Sequence, residues 1–341
     1  MYRAWITVVL GVCLIGGLGG VTCAAISPVV NERGAVLEFT EENDWFAGTD
    51  RHYTQGARMV LLGAEHSQPH WLKDFAAFGL RVDAWRAGFQ LGQSIFTPED
   101  LLASAPVPND RPYAGWLYAG PVLQRRGVMT SLGVPVLETF QLQAGVIGPA
   151  AMGEEVQNSI HDILQHNEET RGWRNQLRNE PGFVLKYQRT WRVSPSGPRD
   201  WSAELLPHMG ASLGNVDTSI RAGATLRAGW RMPDDFGVAT MDGTGISDGG
   251  RSANAQNNRY GAYAFVRVEE RYVGYNEFLD GTLFPGYERV TMRRGVGDLQ
   301  GGLVLVAPRC DIAFTMTYRM LEFYGQDGED IFGSLTLRCK F

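Results

Sequence analysis

Beyond its first 25 residues, the sequence has no long apolar run. No later stretch approaches the roughly 18 consecutive apolar residues of a membrane-spanning helix. This excludes a helical membrane protein, but it does not exclude a β-barrel, because barrel strands are apolar on one face only. A polybasic run is also absent and the formal net charge is −6, which argues against nucleic acid as the main partner.

A familiar hydrolase signature is missing as well. No Ser-His-Asp arrangement stands out in the sequence, so a serine triad is not supported. Cysteine is scarce, and of the four in the chain only Cys310 and Cys339 lie beyond the first 25 residues. In an oxidising compartment these two could form a disulfide or remain free thiols, and the sequence leaves both alternatives open.

The N-terminus has the pattern of a signal peptide. Arg3 precedes an apolar stretch, residues 5–18, which is followed by small residues that suit a cleavage site. We therefore predict a signal peptide at residues 1–25, export from the cytoplasm, and a single domain at residues 26–341. A lipoprotein acylated at Cys23 is the alternative, although the threonine before it fits that pattern poorly.

Period-two alternation of apolar and polar residues dominates the rest of the chain. Near the C-terminus, Leu335, Leu337 and Cys339 share one face, while Arg338 and Lys340 fall on the other. Glycine is abundant, with 42 residues, as expected where many strands are joined by turns. The predicted strands are long, and their polar face carries large charged residues. We predict an all-β fold, a closed up-and-down antiparallel transmembrane barrel in a Gram-negative outer membrane.

Twelve strands are predicted, an even number that closes a barrel with both ends in the periplasm. They lie near residues 35–42, 54–63, 84–96, 112–126, 135–149, 181–194, 200–213, 216–231, 259–273, 290–308, 311–324 and 331–341. Residues 68–80 and 151–165 are predicted to form short helices in extracellular loops. Residues 232–258 are rich in Gly, Asp and Asn, and are predicted to form a long, mobile loop.

Two clusters of polar residues are candidates for chemistry. Acidic and amide side chains gather at Asn43 and Asp44, just past the first predicted strand, and hard oxygen ligands of this kind suit calcium. A solvated hairpin turn is the alternative. Gln157 and His161 are four residues apart and so share one helix face, where a neutral imidazole could act as a general base. Otherwise His161 is a surface histidine.

Arg111 and Glu168 are further candidates. Arg111 stands at the start of a predicted strand, where it could bind a phosphate through two hydrogen bonds or pair with Asp110 at the rim. Glu168 belongs to a polar run at residues 167–180. There it could orient an imidazole, bind a cation, or simply be part of a charged loop.

Taken together, these segments resemble the lipid A 3'-O-deacylase family of Gram-negative outer membranes. The matching motifs occur in family order across nearly the whole mature chain. They are Asn43-Asp44, Tyr53-Thr54-x-Gly56, Gln93-x-Ile95-Phe96-Thr97-Pro98, Asp110-Arg111, Val146-Ile147-Gly148-Pro149, Val156-Gln157-Asn158-x-x-His161 and Trp173-x-x-Gln176-x-x-Asn179.

The resemblance implies a twelve-stranded barrel with its active site near the outer face. It also implies a monomeric, calcium-dependent hydrolase that removes the 3'-linked acyloxyacyl group from lipid A, or lipopolysaccharide, in the outer leaflet. By this resemblance His161 would be the base that activates water, and Asn43 and Asp44 would belong to the calcium (Ca2+) site. The supporting polar residues would be Thr54, Gln157 and Glu168.

The chain departs from the family pattern in two places. Some members carry a basic segment after the Ser/Thr-Pro element, whereas residues 99–106 contain no basic residue here. Thr170 stands where some members have a tyrosine. Because the basic segment would contact lipid A phosphates, the contacts with substrate must differ in this chain. Two other functions are alternatives, a passive outer-membrane barrel or pore, and an outer-membrane phospholipase acting on glycerophospholipids.

Overall fold

The computed structural model describes residues 33–48, 51–67, 79–164, 170–194, 200–249, 260–282 and 289–341. The predicted signal peptide, most of the predicted helix at 68–80, and Glu168 lie outside the described residues. Within those residues, no helix is both long and apolar enough to cross a membrane.

The described residues form twelve long strands and one strand of two residues. The strands are β1 (Val36–Asn43), β2 (His52–Leu62), β3 (His66–Ser67), β4 (Leu80–Thr97), β5 (Ala114–Met129), β6 (Val134–Ile147), β7 (Glu180–Trp191), β8 (Trp201–Gly214), β9 (Asp217–Trp230), β10 (Gly261–Asn276), β11 (Gly295–Val306), β12 (Cys310–Arg319) and β13 (Asp330–Lys340). Two helices accompany them, α1 (Gly153–Leu164) and α2 (Glu277–Asp280). The helix predicted at 151–165 is thereby confirmed as α1.

The strands close into one barrel in which neighbours along the chain are neighbours in space. Every pairing is antiparallel, β3 is a short addition beside β4, and β2 pairs directly with β4. Closure comes from the first and last strands, since β1 pairs with β13 along its whole length, from Val36 opposite Lys340 to Asn43 opposite Gly333. The predicted twelve-stranded, up-and-down barrel is confirmed. We call the end where β1 begins and β13 ends the terminal end, and the opposite end the distal end.

Side chains alternate between a polar lumen and an apolar outer face, as the period of a strand requires. The outward positions hold large hydrophobic residues that are well exposed, as a lipid-facing surface requires. They include Phe39, Met59, Leu61, Phe89, Leu91, Phe183, Leu185, Leu303, Leu305, Leu335 and Leu337. The inward positions hold buried polar residues such as Glu38, Arg58, Gln90 and Arg227. The outer face is therefore the lipid side of the wall.

Residues 232–249, between β9 and β10, fill part of the lumen. For residues 232–249 this corrects the prediction of a mobile loop, because Phe236, Met241 and Ile246 are buried, whereas residues 250–258 of that prediction lie outside the described residues. The segment enters at the terminal end and reaches toward the distal end, where the Met241 backbone N–H donates to Glu42 Oε1 (3.1 Å). It then returns, and Gly249 packs against Val36 at the start of β1. We call residues 232–249 the luminal segment.

Ion pairs hold the luminal segment to the wall along its length. Asp235 is fully buried and accepts hydrogen bonds from Arg227 and Arg338. Asp242, near the tip, pairs with Arg271 and with Arg319 Nη2, the latter at 2.7 Å. The Gly and Asp residues of the luminal segment therefore match the polar surroundings of the lumen.

A disulfide joins Cys310 and Cys339 at the terminal end. The two residues are directly opposite each other in the antiparallel pairing of β12 with β13. Of the two alternatives that the sequence left open, the structure thus has the disulfide and not the free thiols.

Candidate functional site

A row of residues crosses the outer face of the barrel near the distal end. In the strand register Asn43 lies opposite Gln55, Gln55 opposite Ile95, and Ile95 opposite Gly115. Residues directly opposite each other lie on the same face of a sheet. Asn43 lies on the outward face of β1, as Phe39 does, so the other three residues also face outward. With neighbouring strands about 4.8 Å apart, the row is about 15 Å long. We call these four residues the outer row.

Helix α1 packs against the outside of the wall at one end of this row. A Cβ atom added to Gly115 would lie 3.0 Å from Ala151 Cβ and 3.4 Å from Gly153 Cα, so the start of α1 sits on the strand itself. Gln93 supports this docking by donating a hydrogen bond from Nε2 to the carbonyl oxygen of Ala151 (2.6 Å). Glycine at position 115 is what allows the close approach.

The face of α1 that is turned inward carries the two residues predicted from helical spacing. Gln157 and His161 are both buried, and Gln157 Oε1 accepts a hydrogen bond from the indole N–H of Trp173 (2.9 Å). Val156 packs against a cluster that contains Ile95 and Trp173. The predicted shared face is therefore the face that meets the barrel wall, and His161 is not a surface histidine.

Thr54 lies at an irregularity in β2, beside the outer row. The pairing of β2 with β4 shifts between Tyr53 and Gln55, so Thr54 is an extra residue in the strand. Its hydroxyl is 2.7 Å from that of Thr97, and both residues are buried. The bulge places a hydroxyl pair next to the outer row.

Asn43 and Asp44 mark the turn from β1 into a short 3-10 helix (Asp44–Ala47). Asn43 Oδ1 caps this turn by accepting the Trp45 backbone N–H (2.7 Å), and Asp44 Oδ2 accepts that of Arg51 (2.6 Å). Carboxylate, amide and carbonyl oxygens fit calcium by their chemistry. The described part of the chain holds no group of three or more His, Cys, Asp or Glu side chains that could bind a metal. Glu168 lies outside it.

Arg111 lies at the mouth of the lumen, away from the outer row. Its guanidinium sits 4.8 Å from the ring of Phe96, whose position in β4 faces inward, and Nη1 donates to Glu322 Oε2 (3.2 Å). Arg111 is only 1% exposed. Burial alone would raise the pKa of Glu322, but Arg319, Arg111 and Arg271 hold it below its usual range. The predicted phosphate ligand is thus paired and buried.

His52 is part of a second cluster at this mouth that the sequence did not single out. Its Nδ1 is 2.6 Å from Asp330 Oδ1, and its Nε2 is 3.6 Å from Asp110 Oδ1. Burial opposes ionisation of Asp110, yet hydrogen bonds from His52 and from the Glu99 backbone keep its pKa below the ordinary value. These contacts fix the loop between β4 and β5 to the start of β13.

A cleft of about 310 Å³ opens at the distal end between that loop and a 3-10 turn (Trp173–Asn175). Its walls include Pro98, Pro106 and Tyr113. Arg174 also lines the cleft and donates from Nε and Nη2 to the carbonyl oxygen of Ser104 (3.0 and 2.7 Å). A cation therefore borders this loop from across the cleft, although residues 99–106 supply none.

Comparison with known proteins bears on fold and family. A family model described as "Outer membrane protein LpxR" matches residues 9–341. The solved structure of LpxR from Salmonella typhimurium is 22% identical and covers 90% of this chain and 100% of that chain, with a TM-score of 0.68. The β domain of the Bordetella autotransporter BrkA (12% identical, 90% and 99% covered) reaches 0.40. No curated protein sequence gives a match.

Proposed function

The chain belongs to the LpxR family of outer membrane proteins, and from this premise we propose that it hydrolyses the ester of the 3'-linked acyloxyacyl group of lipid A. Its closed barrel is an outer-membrane barrel of that family. The proposed reaction is hydrolysis of a carboxylic ester, and the proposed substrate is the lipid A part of lipopolysaccharide in the outer leaflet.

The outer row is the observation that carries the proposal. Polar groups on the lipid side of a barrel wall are costly unless a partner satisfies them. Here Asn43, Gln55 and the hydroxyl pair of Thr54 lie on that side. A helix that packs on β4 and β5 next to them brings Gln157 and His161 against the wall. A site between wall and helix is within reach of a substrate that is itself a membrane lipid.

The direction of α1 supports His161 as the base. The helix starts over Gly115 of β5, and Val156 packs against the cluster that contains Ile95 of β4, one strand nearer to Asn43. From Val156 to His161 the helix advances about 7.5 Å, at about 1.5 Å per residue. Because neighbouring strands are about 4.8 Å apart, this is roughly the distance across one or two strands. We propose that His161 removes a proton from the attacking water, and that Gln157 and Trp173 hold the helix in position.

Calcium is the proposed cofactor. Asn43 and Asp44 would hold it with backbone carbonyls, and Glu168 stays the predicted further ligand or orienting carboxylate. When bound, the ion would polarise the ester carbonyl and stabilise negative charge on its oxygen. Within the chain, Asp44 is fixed by the N–H of Arg51, so one of its oxygens is held in place before any ligand arrives.

The luminal segment argues against the passive pore. It runs from the terminal end to the distal end, and its residues are buried among wall side chains. A barrel built to conduct solutes needs a water-filled lumen, whereas this lumen contains a protein segment held by buried ion pairs. A monomer, with one site per chain, is sufficient for the proposed reaction.

Mass spectrometry of lipid A from cells that express the protein tests the proposal. We expect a mass loss of one acyloxyacyl group, which requires calcium and is absent in the His161→Ala variant. No mass change with a folded barrel in the outer membrane would contradict it. Hydrolysis of phosphatidylethanolamine by the same preparation would then favour the phospholipase alternative.

A further inference from the structure

Glu41 stands on the lipid side of the wall next to the outer row. It precedes Asn43 by two residues and therefore shares its face. Gln55, which lies opposite Asn43, donates a hydrogen bond from Nε2 to Glu41 Oε1 (3.0 Å). Its outward neighbours on the other two sides are apolar and exposed, Phe39 two residues back on β1 and Leu335 opposite on β13. A carboxylate thus interrupts an apolar surface.

The electrostatic surroundings of Glu41 differ from those of its neighbours. Glu38 and Glu42 point into the lumen, where Glu38 pairs with Arg338 and Glu42 accepts hydrogen bonds from Tyr53 and the luminal segment. Glu41 belongs to none of the ion pairs between described side chains. Among the described residues, one hydrogen bond reaches Glu41, from Gln55, and it leaves most of the roughly four acceptor positions of a carboxylate open.

We propose that Glu41 and Gln55 form a hydrogen-bonding subsite for the lipid substrate. The subsite would accept a hydroxyl or amide N–H that the substrate carries between its headgroup and its acyl chains. Gln55 is buried and fixes the carboxylate, while Glu41 is only half-buried and remains accessible from the membrane side. A charged residue on a lipid-facing strand is destabilising, although less so for Glu and less so near the membrane interface. A polar group of the substrate would compensate for this cost. This inference rests on the proposed function.

The test compares Glu41→Leu and Glu41→Gln with wild type in detergent micelles of purified lipid A at saturating calcium. Leucine restores the apolar outer face, and glutamine keeps an acceptor oxygen. We expect Glu41→Leu to raise KM about tenfold, as for loss of a hydrogen bond to a charged group, with kcat within about twofold. Glu41→Gln should recover part of that loss, and the calcium concentration for half-maximal rate should not change.

Tyr187→Phe is the matched control. It removes an outward-facing hydrogen bond of 2.7 Å to Glu138, on β6 and β7 far from the outer row. Its KM should equal that of wild type. An unchanged KM in Glu41→Leu would overturn the inference, and a raised calcium requirement would overturn it in favour of a metal ligand. If wild type leaves lipid A intact, the proposed function fails instead, which the same assay reports separately.

Discussion

The lumen and the outer row both carry polar side chains, but their partners differ. In the lumen, carboxylates face arginines, and Arg227 alone contacts Asp235, Glu204 and a backbone carbonyl. In the outer row and beside it, amides and hydroxyls meet one another, as in the pair of Thr54 and Thr97. Pairs of opposite charge therefore dominate the contacts of the lumen. The outer site keeps hydrogen-bonding capacity for something that arrives from the membrane.

This difference predicts that changes outside affect the reaction and changes inside affect stability. The largest effect should come from His161→Ala, because the imidazole is the proposed base. General-base catalysis is worth about 10²–10⁴ in rate, so we expect the turnover of lipid A to fall by that factor while the melting temperature stays constant. Asp162→Ala, the adjacent exposed position of α1, is the control and should keep wild-type turnover. Comparable losses in both variants would contradict the assignment.

Inside the barrel, Asp235→Asn should act on stability. It removes the buried carboxylate that Arg227 and Arg338 share and leaves them only their remaining partners, such as Glu204 and Glu38, and breaking a buried pair costs about 3–5 kcal/mol. Reversible unfolding in detergent with urea measures this loss, and turnover per folded molecule should not change.

The control for Asp235 is Asp200→Asn at the terminal end. Asp200 pairs with Arg231 but is well exposed, so its loss should cost less than about 1 kcal/mol. Equal destabilisation by the two substitutions would remove the distinction between luminal and surface pairs.

Removal of calcium separates the regions in a second way. A chelator should reduce turnover about a hundredfold, since a bound cation supplies several kcal/mol of charge stabilisation in the transition state. It should leave the unfolding midpoint nearly unchanged, because the luminal carboxylates are neutralised by arginines. A midpoint that drops sharply on chelation would mean that the cation is structural.

The smallest effect is expected from removing one hydroxyl. Thr97→Val deprives Thr54 of its partner at nearly constant volume and should lower kcat/KM about three- to tenfold, the worth of one hydrogen bond. Thr336→Val is the matched control, because Thr40 and Thr336 form the same kind of pair, 3.1 Å apart, on the luminal side. Steady-state assays should show an effect for Thr97 and none for Thr336.

The barrel could be predicted from sequence because its alternation is regular. Strand positions such as 200–213, observed as Trp201–Gly214, follow from period two alone. The luminal segment was mistaken for a loop because burial usually shows itself by apolar residues. In the polar lumen, Asp235 is buried against Arg227 and Arg338, and Asp242 is half-buried against Arg271 and Arg319. Except for Arg227, these partners are distant in sequence.

The candidate site could be predicted from the sequence only in part. Helical spacing identified Gln157 and His161 as one face, but only the strand register shows that this face meets the outside of the wall. Glu41 could have been found as well, since it breaks the apolar outward pattern of Leu37 and Phe39 in β1. The sequence could not place Arg111. An arginine at the end of a strand looks the same in sequence whether it faces the lumen or the outside of the wall.

The luminal segment also bears on how the barrel is assembled. Arg338 of β13 contacts both Asp235 of the segment and Glu38 of β1, and Gly249 packs against Val36 and Arg338. The segment therefore bridges the seam at which the first and last strands meet. Closure of the barrel thus depends on side-chain contacts with the luminal segment as well as on the backbone hydrogen bonds between β1 and β13.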